Sequence, residues 1–249
     1  MIKTKIVINP RYEHLRDYIT SIPSKNGKCG AIIYDARNKI YQDVVEKENV
    51  SIKCFRTPSA INRVIYTFFR HSKARRSFDN GVKLTELGVG TATPIAYIEV
   101  YKDLLIEKSY YICEMLVAHD IRWWDKILNC EEVLDHAAQF MAELHEKGVF
   151  HKDFSPGNIL YDDNFNFYLI DINRMKFNIT NHHLLMENFK CLHDSPEETA
   201  RIARLYAKHA NATDVDAIVG EALTARRTYK EKQALKRRIK TLFKHKRYG

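Results

Sequence analysis

The sequence predicts an α+β protein of two unlike lobes, a β-rich sheet with one helix followed by a mainly helical half. Three observations carry this expectation. β-Type runs crowd residues 1–110, helical spacing takes over from about residue 117, and one small hairpin pattern interrupts the helices. The expected boundaries are 1–116 for the first lobe, 117–224 for the second and 225–249 for a basic, helical tail.

In the first lobe, Ile6-Val7-Ile8, Gly30–Tyr34, Val50–Phe55, Ile95–Tyr101 and Ser109–Met115 read as strands from their β-branched and aromatic content. Ala74–Leu87 reads as a helix, with Phe78, Val82, Leu84 and Leu87 apolar, Gly88 as its stop and Thr93-Pro94 leading to the next strand. In the second lobe, Glu131–Lys147 carries Val133, Leu134, Ala137, Phe140, Met141 and Leu144 at helical spacing and closes at Gly148. Ile159–Tyr161 and Phe167–Ile170 are short strands joined by the turn composition Asp162-Asp163-Asn164. Beyond residue 182 the pattern is helical almost to the end.

The chain has 249 residues, 45% hydrophobic and 29% charged, so it can bury a substantial core. No apolar run approaches the roughly 18–20 residues that span a bilayer, and the N-terminus lacks the apolar stretch of a signal peptide. The five cysteines are scattered without a C-x-x-C pair, which argues against a disulfide framework or a four-ligand zinc site and for reduced thiols.

The formal net charge of +9 is unevenly placed. Ala225–Gly249 holds eleven Lys and Arg against Glu231 alone, leaving 29 basic and 30 acidic residues in the body. Leu235, Ile239, Leu242 and Phe243 share one face if the tail is helical. A basic amphipathic helix reads first as an element for an anionic membrane surface. The alternative is a helix whose apolar stripe packs on the body. Nucleic acid ranks below both, because the many Tyr and Phe form no RNA-binding motif.

The stretch richest in chemistry is His151-Lys-Asp-Phe-Ser-Pro-Gly-Asn158, followed by Leu169-Ile-Asp171-Ile-Asn173. A loop Asp can accept a hydroxyl proton, while an Asn and a second Asp hold magnesium on a nucleotide. These residues resemble the catalytic loop of the protein-kinase-like superfamily, His-x-Asp-x-x-x-x-Asn followed by an Asp-x-x metal motif. The middle residues Phe-Ser-Pro-Gly, with Ala74–Gly81 and Thr93–Tyr97, are similar to the bacterial lipopolysaccharide core kinases that phosphorylate heptose or 3-deoxy-manno-octulosonic acid (Kdo). The resemblance covers roughly residues 25–206 and is most specific over 151–173.

The resemblance implies a two-lobed kinase-like fold, an ATP-dependent phosphotransferase with Mg2+, and a lipopolysaccharide inner-core or lipid A precursor as acceptor, Kdo preferred over heptose. It places Asp153 on the acceptor hydroxyl, Asn158 and Asp171 on magnesium, His151 as a brace of the loop and Lys53 on the α/β-phosphates. Glu114 and Leu116 would flank the backbone that reads adenine. Asn26, Gly27 and Gly30 would line phosphates through backbone amides. Asp79 would pair with Lys53, with Glu86 as alternate; aligned on Gly88, the family's usual glutamate falls near Ser77. The metal motif reads Asp-Ile-Asn where protein kinases carry Asp-Phe-Gly. The implied location is cytoplasmic, peripheral at the inner face of the bacterial inner membrane. Three rivals stand beside this reading: another small-molecule or protein kinase of the same fold, a catalytically silent, kinase-shaped binding protein, and a nucleic-acid-binding protein acting through the basic tail.

Overall fold

The computed structural model describes residues 1–126 and 129–245. They form two compact units, Met1–Val117 with Tyr168–Arg174, and Ala118–Phe167 with Met175–Gly249. The short return segment 168–174, expected in the second lobe, packs with the first.

The first unit contains β1 (Ile2–Ile8), α1 (Arg16–Ser21), β2 (Ala31–Asp35), β3 (Lys39–Val45), β4 (Glu48–Phe55), α2 (Ala60–Phe68), α3 (Lys73–Glu86), β5 (Pro94–Lys102) and β6 (Leu105–Glu114). Its strands make one antiparallel sheet in the order β1-β5-β6-β4-β3-β2. The expected helix is α3; α1, α2 and β3 were not legible in the sequence pattern. Strand alternation sorts the side chains of β4 onto two faces. Val50 and Ile52 pack in a core with Tyr12, Leu15, Ile19, Ile98 and Ile112. Phe55 packs on the other face with Ala74 and Phe78 of α3, Tyr97 and Tyr111. Lys53 has the parity of Phe55, opposite Tyr111 on β6 and Ile40 on β3, so it projects on the α3 face.

The second unit contains β7 (His119–Asp120), α4 (Cys130–Glu146), β8 (Phe150–His151), β9 (Ile159–Tyr161), the first residue of β10 (Phe167–Leu169), β11 (Met175–Lys176), α5 (His182–Met186), α6 (Pro196–His209) and α7 (Val215–His245). α4 buries Val133, Leu134, Ala138, Met141 and Leu144 on one stripe. Gly148, at φ 63, ends the helix in the left-handed region, and a Cβ there would lie 3.0 Å from the Ile179 amide nitrogen. α6 begins at the cap Ser195, whose side chain accepts from the Glu198 amide, with Pro196 in the first turn. A polar contact sits in this helical core. The His145 ring nitrogens lie 2.9 Å from the Tyr206 hydroxyl and 3.1 Å from Asn188 Nδ2. Burial pushes this imidazole down to about 3.

The expected break at residue 225 is absent, because α7 runs through it as one helix. Asp194 holds the start of the basic stretch, accepting from Arg226 through its carbonyl and from Lys230 through its carboxylate. Leu235 and Ile239 are exposed, so that part of the tail's apolar stripe does not pack on the body. Residues 246–249, the end of the tail, lie outside the described residues.

Candidate active site

The residues singled out in the sequence fall into two local arrangements, one in each unit. In the second unit the loop after β8 is organised by its own backbone. His151 is buried, and its Nδ1 accepts the Asp153 amide at 3.1 Å. The Asp153 carbonyl accepts twice, from the Ser155 amide at 2.9 Å and from Asn158 Nδ2 at 2.9 Å. The Asn158 amide in turn donates to the Ser155 carbonyl at 2.8 Å. Phe154 is buried beneath the loop, and Cys191 Sγ donates to its carbonyl at 3.3 Å. Burial, with the Asp153 carboxylate adding to it, pushes the Cys191 thiol up to about 11, so it stays a protonated donor. The result is an exposed Asp153 carboxylate on a loop whose turns are fixed by hydrogen bonds. Asn158 is oriented through its nitrogen, which leaves a hard amide oxygen for a cation.

In the first unit, residues 118 positions apart meet: Lys53 Nζ lies 2.5 Å from Asp171 Oδ1. Asn173 Nδ2 donates to the same oxygen at 2.9 Å. Asp171 sits at φ 55, a left-handed conformation that costs a non-glycine residue about 1–2 kcal/mol. The segment is held there by α3. Arg76 Nη1 donates to the Asn173 carbonyl at 2.7 Å and Asn80 Nδ2 to the Ile172 carbonyl at 2.6 Å. Thr91 Oγ1 adds a bond to the Leu169 carbonyl at 2.8 Å. The sequence motifs contain Arg76, Asn80 and Asn173 but assign none of them a role. The i, i+4 spacing of Arg76 and Asn80 puts them on one helix face, but nothing in the sequence says what that face grips.

Two expectations are corrected. Asp79 does not pair with Lys53; its carboxylate lies 3.4 Å from Arg75 Nε and 3.7 Å from His71 Nδ1. Asp79 is on the exposed side of α3, whereas the side facing the sheet carries Ala74, Ser77, Phe78 and Gly81. The alternate Glu86 pairs with Lys83, and Ser77 is buried without a charge to offer. Lys53 finds its carboxylate on Asp171 instead. Likewise the stretch from Asn26 to Cys29 does not present a row of free amides. The amides of Asn26, Gly27, Lys28 and Cys29 are each bonded at 3.0 Å to the carbonyls of Pro23, Ile22, Lys25 and Gly27. Gly27 is needed for packing: at φ 76, a Cβ there would come within 2.3 Å of Cys54 Sγ and 2.7 Å of Tyr110. The hairpin that precedes the Lys53 strand turns at Ala36–Asn38, between β2 and β3, without a glycine.

Glu114 closes β6. Its amide donates to the Thr93 carbonyl at 2.9 Å, the Met115 amide donates to the Asn49 carbonyl at 2.9 Å, and Tyr12 donates its hydroxyl to the Glu114 carboxylate. Burial and that carboxylate raise the Tyr12 phenol well above its ordinary range. Leu116 is partly buried against the α3-side core.

A sequence model of the lipopolysaccharide kinase (Kdo/WaaP) family matches residues 52–218, more than half of the chain. The chain belongs to this family. The match opens one residue before Lys53 and contains Asp153, Asn158 and Asp171. As a Kdo/WaaP family member the chain is a phosphotransferase acting on hydroxyl groups, a sugar kinase of lipopolysaccharide biosynthesis. Its fold is shared with solved kinases. The structure of WaaP in complex with acyl carrier protein has a TM-score of 0.62 at 17% identity, covering 91% of this chain and 98% of that one. An aminoglycoside-3'-phosphotransferase of type VIII has a TM-score of 0.57 at 12% identity, covering 85% and 98%. No curated protein sequence matches significantly.

Proposed function

We propose that this kinase transfers the γ-phosphoryl of ATP, with Mg2+, to a Kdo hydroxyl of the lipopolysaccharide inner core, with heptose as the second choice. The observation that carries the reading is the Lys53–Asp171 pair at 2.5 Å, a cation and a hard-oxygen anion held together by long-range packing. Asp153 takes the acceptor hydroxyl proton from an exposed position that the loop hydrogen bonds keep fixed. Lys53 holds the α/β-phosphates as a point charge on a long stem. Asn158 and Asp171 supply one amide and one carboxylate oxygen, a donor set that suits magnesium completing its shell with phosphates and water. When bound, that cation neutralises charge on the transferred phosphoryl group. The Glu114 carbonyl and the Leu116 backbone read adenine, since the amides of Glu114 and Met115 already serve the sheet.

Membrane association belongs to the same proposal. Among the described residues no helix is long and apolar enough to cross a membrane. The exposed Leu235 and Ile239, set among the basic residues of α7, suit peripheral contact with an anionic surface at the cytoplasmic face of the inner membrane. The test is phosphate transfer from labelled ATP and Mg2+ to Kdo-lipid A, a heptose-extended core and a generic protein, with Asp153→Ala as control. Label on Kdo-lipid A that disappears in the variant is the expected result. Label on the heptose core or the protein alone overturns the Kdo assignment. ATP binding without transfer to any acceptor favours a silent kinase-shaped protein.

A further inference from the structure

A pocket of about 510 Å³ opens within the first unit, between α2, the start of α3 and the end of β4. Arg37, Arg56, Ser59, Asn62, Tyr66 and Lys73 are among its lining residues. That volume suits a small organic ligand rather than a lone ion. The cations come from three places in the chain: Arg37 from the β2–β3 turn, Arg56 from the residue after β4, and Lys73 from the first turn of α3. No carboxylate lines the pocket, and among the described residues none of the three cations makes an ion pair. α2 turns its apolar stripe, Ile61, Val64 and Phe68, to solvent and gives the pocket Asn62 and Tyr66.

Two helix starts add to this field. Ser59 and Ser72, the residues just before α2 and α3, both line the pocket, so two positive dipole ends border it. The Ser72 hydroxyl accepts the Arg75 amide, whereas Ser59 makes no capping bond to α2. Lys73 is lowered from its ordinary range by burial and then by Arg37, with Asp171 opposing. Such an arrangement gains from a bound anion. The pocket adjoins the Lys53–Asp171 pair without including it, since neither residue lines it. The Phe55 ring in its wall has Lys73 Nζ 6.0 Å from the centroid and Lys53 Nζ 5.4 Å from it. A ligand seated here therefore lies next to Lys53.

We propose, resting on the acceptor reading above, that this pocket binds an anionic sugar of the acceptor glycan. Its carboxylate or phosphate lies on Arg56 and Lys73 with Arg37 beside it, and its hydroxyls meet Asn62 and Tyr66. The mixed lining fits such a ligand, because cations serve the anion while amide and hydroxyl groups serve the ring oxygens. An inner-core acceptor carries both kinds of oxyanion, the carboxylate of Kdo and the phosphates of lipid A. Cations placed beside Lys53 offset the repulsion between that acceptor and the phosphates of ATP.

The test titrates the full chain with deacylated Kdo-lipid A by calorimetry, with and without a non-hydrolysable ATP analogue. Arg56→Gln and Lys73→Gln should each weaken binding about tenfold, as expected for one hydrogen bond to a charged group, and Lys73→Arg should restore most of it. Two modified ligands, one with the Kdo carboxylates converted to amides and one without the lipid A phosphates, identify the anion. The ligand that lacks it should bind the wild type weakly and be indifferent to both substitutions. Wild-type protein that fails to bind the intact glycan, or variants that bind it equally well, would overturn the proposal. So would an equal loss for the intact glycan and for one stripped of all its anions, which marks a structural role. A loss confined to the ATP analogue would assign the pocket to the nucleotide and overturn it too. Failure of phosphate transfer with this charge-dependent binding intact counts against the kinase reading and not against the pocket.

Discussion

The loop 151–158 and the segment 168–174 perform parallel tasks by different means. Each presents a carboxylate, Asp153 or Asp171, and each fixes the chain around it with hydrogen bonds. In the loop the partners lie within a few residues: His151 with Asp153, Ser155 with Asp153, Asn158 with Asp153. In the segment they lie 118, 97 and 92 positions away, at Lys53, Arg76 and Asn80. A loop that carries its own braces can be read as a motif. A strained residue held from outside depends on a helix and a strand being correctly packed first.

The sharpest way to break the comparison is Asp153→Ala. It should lower kcat about a thousandfold, the middle of the range for one general base, while ATP binding persists. A loss of ATP binding instead would show that the loop acts on the nucleotide. Lys53→Met should lower kcat/KM for ATP about 100-fold, as expected for one charge-assisted contact. An unchanged KM for ATP would count against its phosphate role.

His145, in the last turn of α4 ahead of the loop, tests how the second unit responds to acid. Its folded value of about 3 lies below its ordinary 6.5, so the unfolded chain binds the proton more readily between those values. The stability is fully present above about pH 6.5 and is lost as pH falls, by about 2 kcal/mol at pH 5. Urea midpoints measured from pH 7.5 to 5 should drop accordingly, and His145→Gln should flatten that slope. An equal slope in the variant would place the acid sensitivity elsewhere.

Smaller effects separate the two sides of α3. Asn80→Ala removes a grip on the Asp171 segment and should cost about 1 kcal/mol, with a raised magnesium requirement in the transfer assay. Asp79→Ala, on the exposed side, should change stability by less than about 0.5 kcal/mol and activity less than twofold. A large loss of ATP affinity in Asp79→Ala would restore the pairing with Lys53 that the geometry contradicts.

The sequence by itself determined the elements whose signals are local. α3 and α4 carry apolar stripes and stop at glycines, Gly88 and Gly148, that reverse the chain. The motif from His151 to Asn158 spells out its own hydrogen bonds, and the family match extends around it. β3 and α2 escaped. The first alternates only weakly, and the second buries nothing, so its stripe could not be read as a core face. Only the tertiary structure decided which carboxylate meets Lys53. Asp79 and Asp171 are equally acidic in sequence, but helix phase turns the first to solvent, while the sheet and α3 bring the second to the lysine. Charge and spacing nominate partners; helix phase and strand parity choose among them, because both are set by what each element packs against.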